Sequence, residues 1–126
     1  MTCDVLSWYA RDLVFIESGL ARAAAEGVVA VVMTHHAPLR QSIGQIDDMD
    51  PVMAAFVSDL DAVVRRHKPA AWVHGHIYTV FTDHPVGGIV VCNPAGDHPR
   101  ENPRFDPDLV LEVDPVRCNA WLVRGP

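Results

Sequence analysis

The chain has 126 residues, 49% apolar and 21% charged, a balance that suits one globular domain. Its 10 basic and 16 acidic residues leave a formal net charge of −6, and Arg65-Arg66-His67-Lys68 is only a short basic cluster, so an extended nucleic-acid surface is disfavoured. No apolar run is long enough to span a membrane, the start Met1-Thr2-Cys3-Asp4 lacks the features of a signal peptide, and the widely spaced Cys3, Cys92 and Cys118 suggest free thiols in a reducing cytoplasm.

In Ser7 to Glu26, Trp8, Leu13, Ile16, Leu20, Ala24 and their apolar neighbours recur at three- to four-residue spacing, which predicts a helix with Ser7 as its cap and Gly27 as its stop. Val28 to Met33 is a β-branched run without alternation, the pattern of a central strand covered on both faces. His35 to Asp50 reads as a loop with an acidic end, Asp47-Asp48-Met49-Asp50. Asp50-Pro51 is a helix start, and Val52, Phe56, Leu60 and Val63 place one apolar face on a helix running to about Arg66. Pro69 ends it, and Ala71 to Val73 reads as a second buried strand, giving a β-α-β unit. Tyr78 to Thr82 and Ile89 to Cys92 predict a β-hairpin. Asn93 to Asp108, with Pro94, Pro99, Pro103 and Pro107, reads as a long loop of the kind that is usually functional or poorly ordered. Leu109 to Val113 is a further strand, and 114–126 supplies an edge strand, over Val116 to Val123, or a tail.

The chemistry gathers at the two apolar runs. The first ends in Thr34-His35-His36-Ala37-Pro38 and the second in His74-Gly75-His76. Ligand sites of open α/β sheets lie at the C-terminal ends of strands, and imidazole is a frequent ligand of borderline divalent metals. The expected metal ligands are His35 and His76, with His36 and His74 behind them. His74 reads as a strand residue, and neighbouring or alternate strand positions point away from a given ligand. An acidic residue from Asp47 to Asp50 is a further possible ligand. His84 and His98 read as solvated loop residues, His67 as a helix-end cation, Cys92 as core, and Asn93 and Gly96 as turn formers.

Val31-Val32-Met33-Thr34-His35-His36-Ala37-Pro38, followed about forty residues later by Val73-His74-Gly75-His76, resembles the calcineurin-like metallophosphoesterases. Cys92-Asn93-Pro94-Ala95-Gly96 and then Glu101-Asn102-Pro103-Arg104-Phe105-Asp106-Pro107 are similar to the tail of one bacterial branch of that family. The resemblance covers about Ser7 to Val113. It implies a four-layer α/β sandwich and metal-dependent hydrolysis of phosphomonoesters or phosphodiesters at a two-metal centre. His35 matches the histidine that opens the family's His-His-x-Pro motif, and His76 the first histidine of Gly-His-x-His; both bind the second metal there. The last histidine of that motif, a ligand of the first metal, is Tyr78 here. The motifs that supply the bridging aspartate and the remaining first-metal ligands would precede Ser7, so the chain looks like the C-terminal half of such a domain. The resemblance implies a divalent cofactor (manganese, iron or zinc) and a phosphate-ester substrate, while charge and the lack of a spanning apolar run point to no nucleic-acid or membrane partner. It also implies a site completed by an N-terminal half or by a second copy in a homo-oligomer. The competing expectations are a non-catalytic remnant or binding module of the same fold, and an unrelated small α/β domain with a structural zinc.

Overall fold

The computed structural model describes residues 2–43, 57–85 and 87–124. Its centre is a four-stranded sheet of β1 (Val31–Thr34), β2 (Ala71–His74), β3 (Phe81–Asp83) and β4 (Ile89–Cys92), in the order β1-β2-β4-β3. β1, β2 and β4 are parallel, and β3 returns antiparallel to β4 as the hairpin patterning predicts. Thus the chain is of α/β character, with two helices among the described residues.

Side-chain alternation divides the sheet into two buried faces. Trp72 and Val90 face one cluster with Leu20, Leu39, Leu60, Val63 and Val64, which belongs to the helices and the segments beside them. Ala71, Ile89 and Val91 face the other, where β7 (Leu109–Asp114) and β8 (Asn119–Arg124) form an antiparallel hairpin that lays Leu109, Leu111, Val113, Ala120 and Leu122 on the sheet. β8 starts at Asn119, not at Val116. Pro115 to Cys118 is a turn in which the Asp114 carboxylate accepts the N–H groups of Val116 (2.8 Å) and Arg117 (3.1 Å).

The first helix, α1 (Thr2–Glu26), begins five residues ahead of the predicted cap, so Ser7 lies inside it. No glycine or proline falls among residues 2–6, and Asp4 in the first turn suits the positive end of the helix dipole. The helix ends as expected at Gly27, whose φ of +65° lets the Val28 N–H reach the Ala23 carbonyl at 3.0 Å.

The predicted helix to Arg66 is corrected in its described part. Its start at Asp50-Pro51 lies outside the described residues. α2 spans only Asp61–His67. Val57 instead bridges to Ala37, and Ser58 and Leu60 donate to the carbonyls of Ala37 and Pro38, both at 2.8 Å. Those tertiary bonds hold the backbone donors of Ser58 and Leu60. α2 is tied to α1 through Glu17, which lies 3.0 Å from Arg66 and 3.6 Å from His67.

The stretch Asn93 to Asp108 is not structureless. β5 (Gly96–Asp97) and β6 (Arg100–Glu101) pair within it. Asn93 and Asp106 bond in both directions, the Asn93 amide donating to the Asp106 carbonyl at 2.7 Å and accepting the Asp106 N–H at 3.1 Å. Asn102 donates from its side chain to Pro94 and from its backbone to Ala95, each at 2.9 Å. Among the described residues no helix is long and apolar enough to cross a membrane.

One expectation of the sequence meets a different environment at β1. The run 28–33 has a central-strand composition, yet β1 stands at the sheet edge with Val31 46% and Met33 78% exposed. An apolar edge without charge, proline or bulge is a template for pairing with another chain. We expect self-association at high micromolar concentration, measured by light-scattering chromatography, and a shift towards monomer in Met33→Lys; a parent that elutes as a sharp monomer would refute this. A second expectation concerns Gly88, where a Cβ would sit 2.0 Å from the Pro69 carbonyl oxygen. Gly88→Ala must push apart the start of β4 and the segment before β2, and should destabilise the fold by about 3 kcal/mol in urea titration.

Candidate metal centre

Parallel pairing of β1 with β2, in register Val31–Ala71 through Thr34–His74, brings both histidine-bearing strand ends to one side of the sheet. The ladder continues one step further, because the Gly75 N–H donates to the His35 carbonyl at 3.2 Å. The chain then folds back within three residues: Ile77 donates to Gly75 at 2.8 Å, and His76 between them takes a φ of +63°. That left-handed backbone is unusual for a residue with a Cβ. It turns His76 towards His35, with Nε2 of His35 and Nδ1 of His76 2.6 Å apart, one donating and the other accepting.

His36 joins them. Its ring centroid is 5.1 Å from that of His35 and 4.9 Å from that of His76, and ligand nitrogens of all three residues lie within 4.8 Å of one another. The expectation that a neighbour of His35 points away rests on the strand pleat, but β1 stops at Thr34 and the backbone bends at His35 and His36. A hydrogen-bonded chain holds that bend. The buried Trp72 indole donates to the Thr34 hydroxyl at 2.8 Å, and that hydroxyl donates to the His36 carbonyl at 2.8 Å. Burial, followed by the proximity of His76 and His35, lowers the His36 pKa from its ordinary value, which favours the neutral imidazole that ligates metals.

The other expected residues lie elsewhere. His74 is still in the pleat, buried on the side where the Phe81 ring lies 6.4 Å away; its pKa is lowered by burial and it is not in the cluster. Its Nδ1 lies 3.4 Å from the Gly75 carbonyl, and its Nε2 has no hydrogen-bond partner. Tyr78 is exposed and outside the cluster; the Arg100 guanidinium sits over its ring at 5.3 Å from the centroid. Asp47 to Asp50 lie outside the described residues. His84 and His98 are exposed, and Cys92 is fully buried with its thiol pushed up to about 11 by that burial.

Two features were missed in the sequence. A cleft of about 420 Å³ runs from His35 and His36 to α1, where Tyr9, Asp12, Leu13 and Phe15 line it. Asp12 thereby shares a cleft with His35 and His36, on a helix read only for its apolar periodicity. The second is the stack of Arg100 over Tyr78, which joins the β5–β6 hairpin to the segment after β2.

Three imidazoles open to solvent fit a divalent ion with a free coordination position. Tetrahedral zinc with Zn–N distances of about 2.1 Å spaces its nitrogens by about 3.4 Å, so the rings need adjust by only about an ångström. An all-nitrogen set suits zinc or iron better than manganese, which prefers oxygen.

Neither a scan of protein-family models nor searches of curated proteins and solved structures give a match to this chain. We expect about one zinc per chain by metal analysis and its loss in His76→Ala. Thr34→Val, which removes the hydroxyl bracing His36, should weaken binding about tenfold while the fold persists. Unchanged affinity in both variants would remove the cluster as the site.

Proposed function

We propose that this chain carries the metal-binding part of a metal-dependent phosphoesterase, in a fold corresponding to the C-terminal half of a four-layer α/β sandwich of the calcineurin-like kind. The observation that carries the reading is the convergence of His35, His36 and His76 from two adjacent parallel strand ends. The motif order of the sequence supplies the reaction class. His35, His36 and His76 hold the cation. When bound, a divalent cation supplies positive charge that polarises a phosphoryl oxygen and acidifies water.

The chain's own residues would then divide the remaining work. The Trp72–Thr34–His36 chain keeps the ligand loop in place, so the imidazoles need little reorganisation. The cleft beside α1 receives the alcohol part of the ester against Tyr9, Leu13 and Phe15, and Asp12 offers a proton acceptor within it. A two-metal centre needs ions about 3.5–4 Å apart, which is commonly secured by a bridging carboxylate. The cluster is formed by histidine alone among the described residues. The reading therefore includes ligands contributed by a second polypeptide or a second copy.

Tyr78 favours a second reading. A phenol under an arginine, at the position where the family resemblance puts a histidine ligand, suits a binding module that holds one metal and does not turn over. Assay of the metal-loaded full chain on p-nitrophenyl phosphate and bis-p-nitrophenyl phosphate separates the two. Metal-dependent hydrolysis that falls at least about a hundredfold in His35→Ala supports the phosphoesterase reading. Stoichiometric metal without hydrolysis of either ester, in the chain alone and in its self-associated form, would leave the binding module.

A further inference from the structure

We infer that the cleft between α1 and the histidines takes an organic ammonium group, held at the Asp12 carboxylate between the rings of Tyr9 and Phe15. The inference rests on the phosphoesterase reading for the other end of the ligand, and it makes that ligand the phosphate ester of an amino alcohol.

Helical geometry groups the three side chains. Tyr9, Asp12 and Phe15 follow one another at three-residue steps on α1, and all three line the cleft that His35 and His36 also line. Residues three apart on a helix are neighbours, with Cβ atoms about 5–6 Å apart. The carboxylate therefore has one aromatic ring a turn before it and another a turn after it, over about 9 Å of helix axis. Neither ring is spent on the core, since Tyr9 is 42% and Phe15 78% exposed. Core packing on that side of α1 is done instead by Leu13, Ile16 and Leu20.

Charge selects what this trio holds. Among the described residues the Asp12 carboxylate enters no ion pair, whereas Glu17, five residues further along α1, lies beside Arg66 and His67. A carboxylate without a counter-ion favours a cation beside it. The faces of aromatic rings are negative and favour the same sign, and quaternary ammonium groups are commonly recognised in this way. The net charge of −6 adds to that preference. A neutral alcohol group would cover the carboxylate without pairing it, and an anionic one would be repelled. The cleft, at about 420 Å³, is within the usual range of small-molecule sites. Its two ends then differ in sign: cation-holding histidines at one, Asp12 with its rings at the other. An amino-alcohol phosphate is a zwitterion of matching polarity.

The test compares two esters of one shape by titration calorimetry on the zinc-loaded full chain, with bound zinc measured in the same samples. Phosphocholine carries the ammonium, and neohexyl phosphate has carbon in place of its nitrogen. Phosphocholine should bind about tenfold more tightly in the parent. Asp12→Asn should erase most of that preference at unchanged zinc content. Phe15→Leu, which stays apolar but loses the ring, should reduce it about threefold, and Tyr9→Phe, which keeps the ring, should preserve it. All three positions are exposed, so the variants should keep the parent's far-ultraviolet dichroism. Equal affinity for the two esters, no binding of either, or a preference that survives Asp12→Asn, each at full zinc content, overturns the inference and leaves the metal site standing. If the parent takes up no zinc, choline alone is titrated. Binding that is lost in Asp12→Asn then supports the ammonium site and removes the phosphoesterase reading, and no binding overturns both.

Discussion

The parallel register of β1 and β2 is the constraint on which the rest depends. It sets Thr34 beside His74 and lets the ladder run on to His35 and Gly75, so both strands end level. A shift of one residue in either strand would exchange the faces of every side chain along it. Trp72 would leave the helix-side core, and its indole would lose the Thr34 hydroxyl that braces His36. Core packing and histidine placement are thus one decision, made by the same pairing.

The layers on either side serve that pairing unequally. α2 and the residues before it seal one face beside β2 and β4, and the β7–β8 hairpin seals the other over Ala71, Ile89 and Val91. β1 receives less cover. Val32 packs on the helix side, while Val31 and Met33 remain open at the edge, beside a groove that Phe15 and Gly19 of α1 help to line. The histidines therefore stand at the C-terminal end of the least protected strand. Whatever covers that edge would lie next to the histidine cluster, which would join association of this chain to the proposed site.

Electrostatics bears on what the proposed site would take. Under the proposed reading, a cation held by three imidazoles would keep its charge and attract an anion within an acidic chain. The cleft against α1 opens from His35 and His36, lined there by Tyr9, Leu13, Phe15 and Ile16. The phosphate ester proposed above would offer an oxyanion to the cation and an organic group to the cleft.

Local chemistry determined much of this from the sequence alone. Gly27 as the stop of α1, the β-branched strands, the return of β3 on β4 and the placement of His35 and His76 at strand ends all follow from backbone preference and apolar patterning, which act over a few residues. The tertiary structure decided what depends on distant partners. Ala37 and Pro38 drew Val57 to Leu60 out of the helical pattern, because their carbonyls bind donors that periodicity assigns to a helix. The end of the pleat at Thr34 brought His36 into the cluster, while the continuing pleat held His74 out of it. The loop 93–108 gained its order from Asn93 and Asn102, whose partners lie 13 and 8 residues away. Arg100 met Tyr78 only through that loop. Such contacts join segments whose separation in the chain says nothing of their distance in space, and so no local pattern announces them.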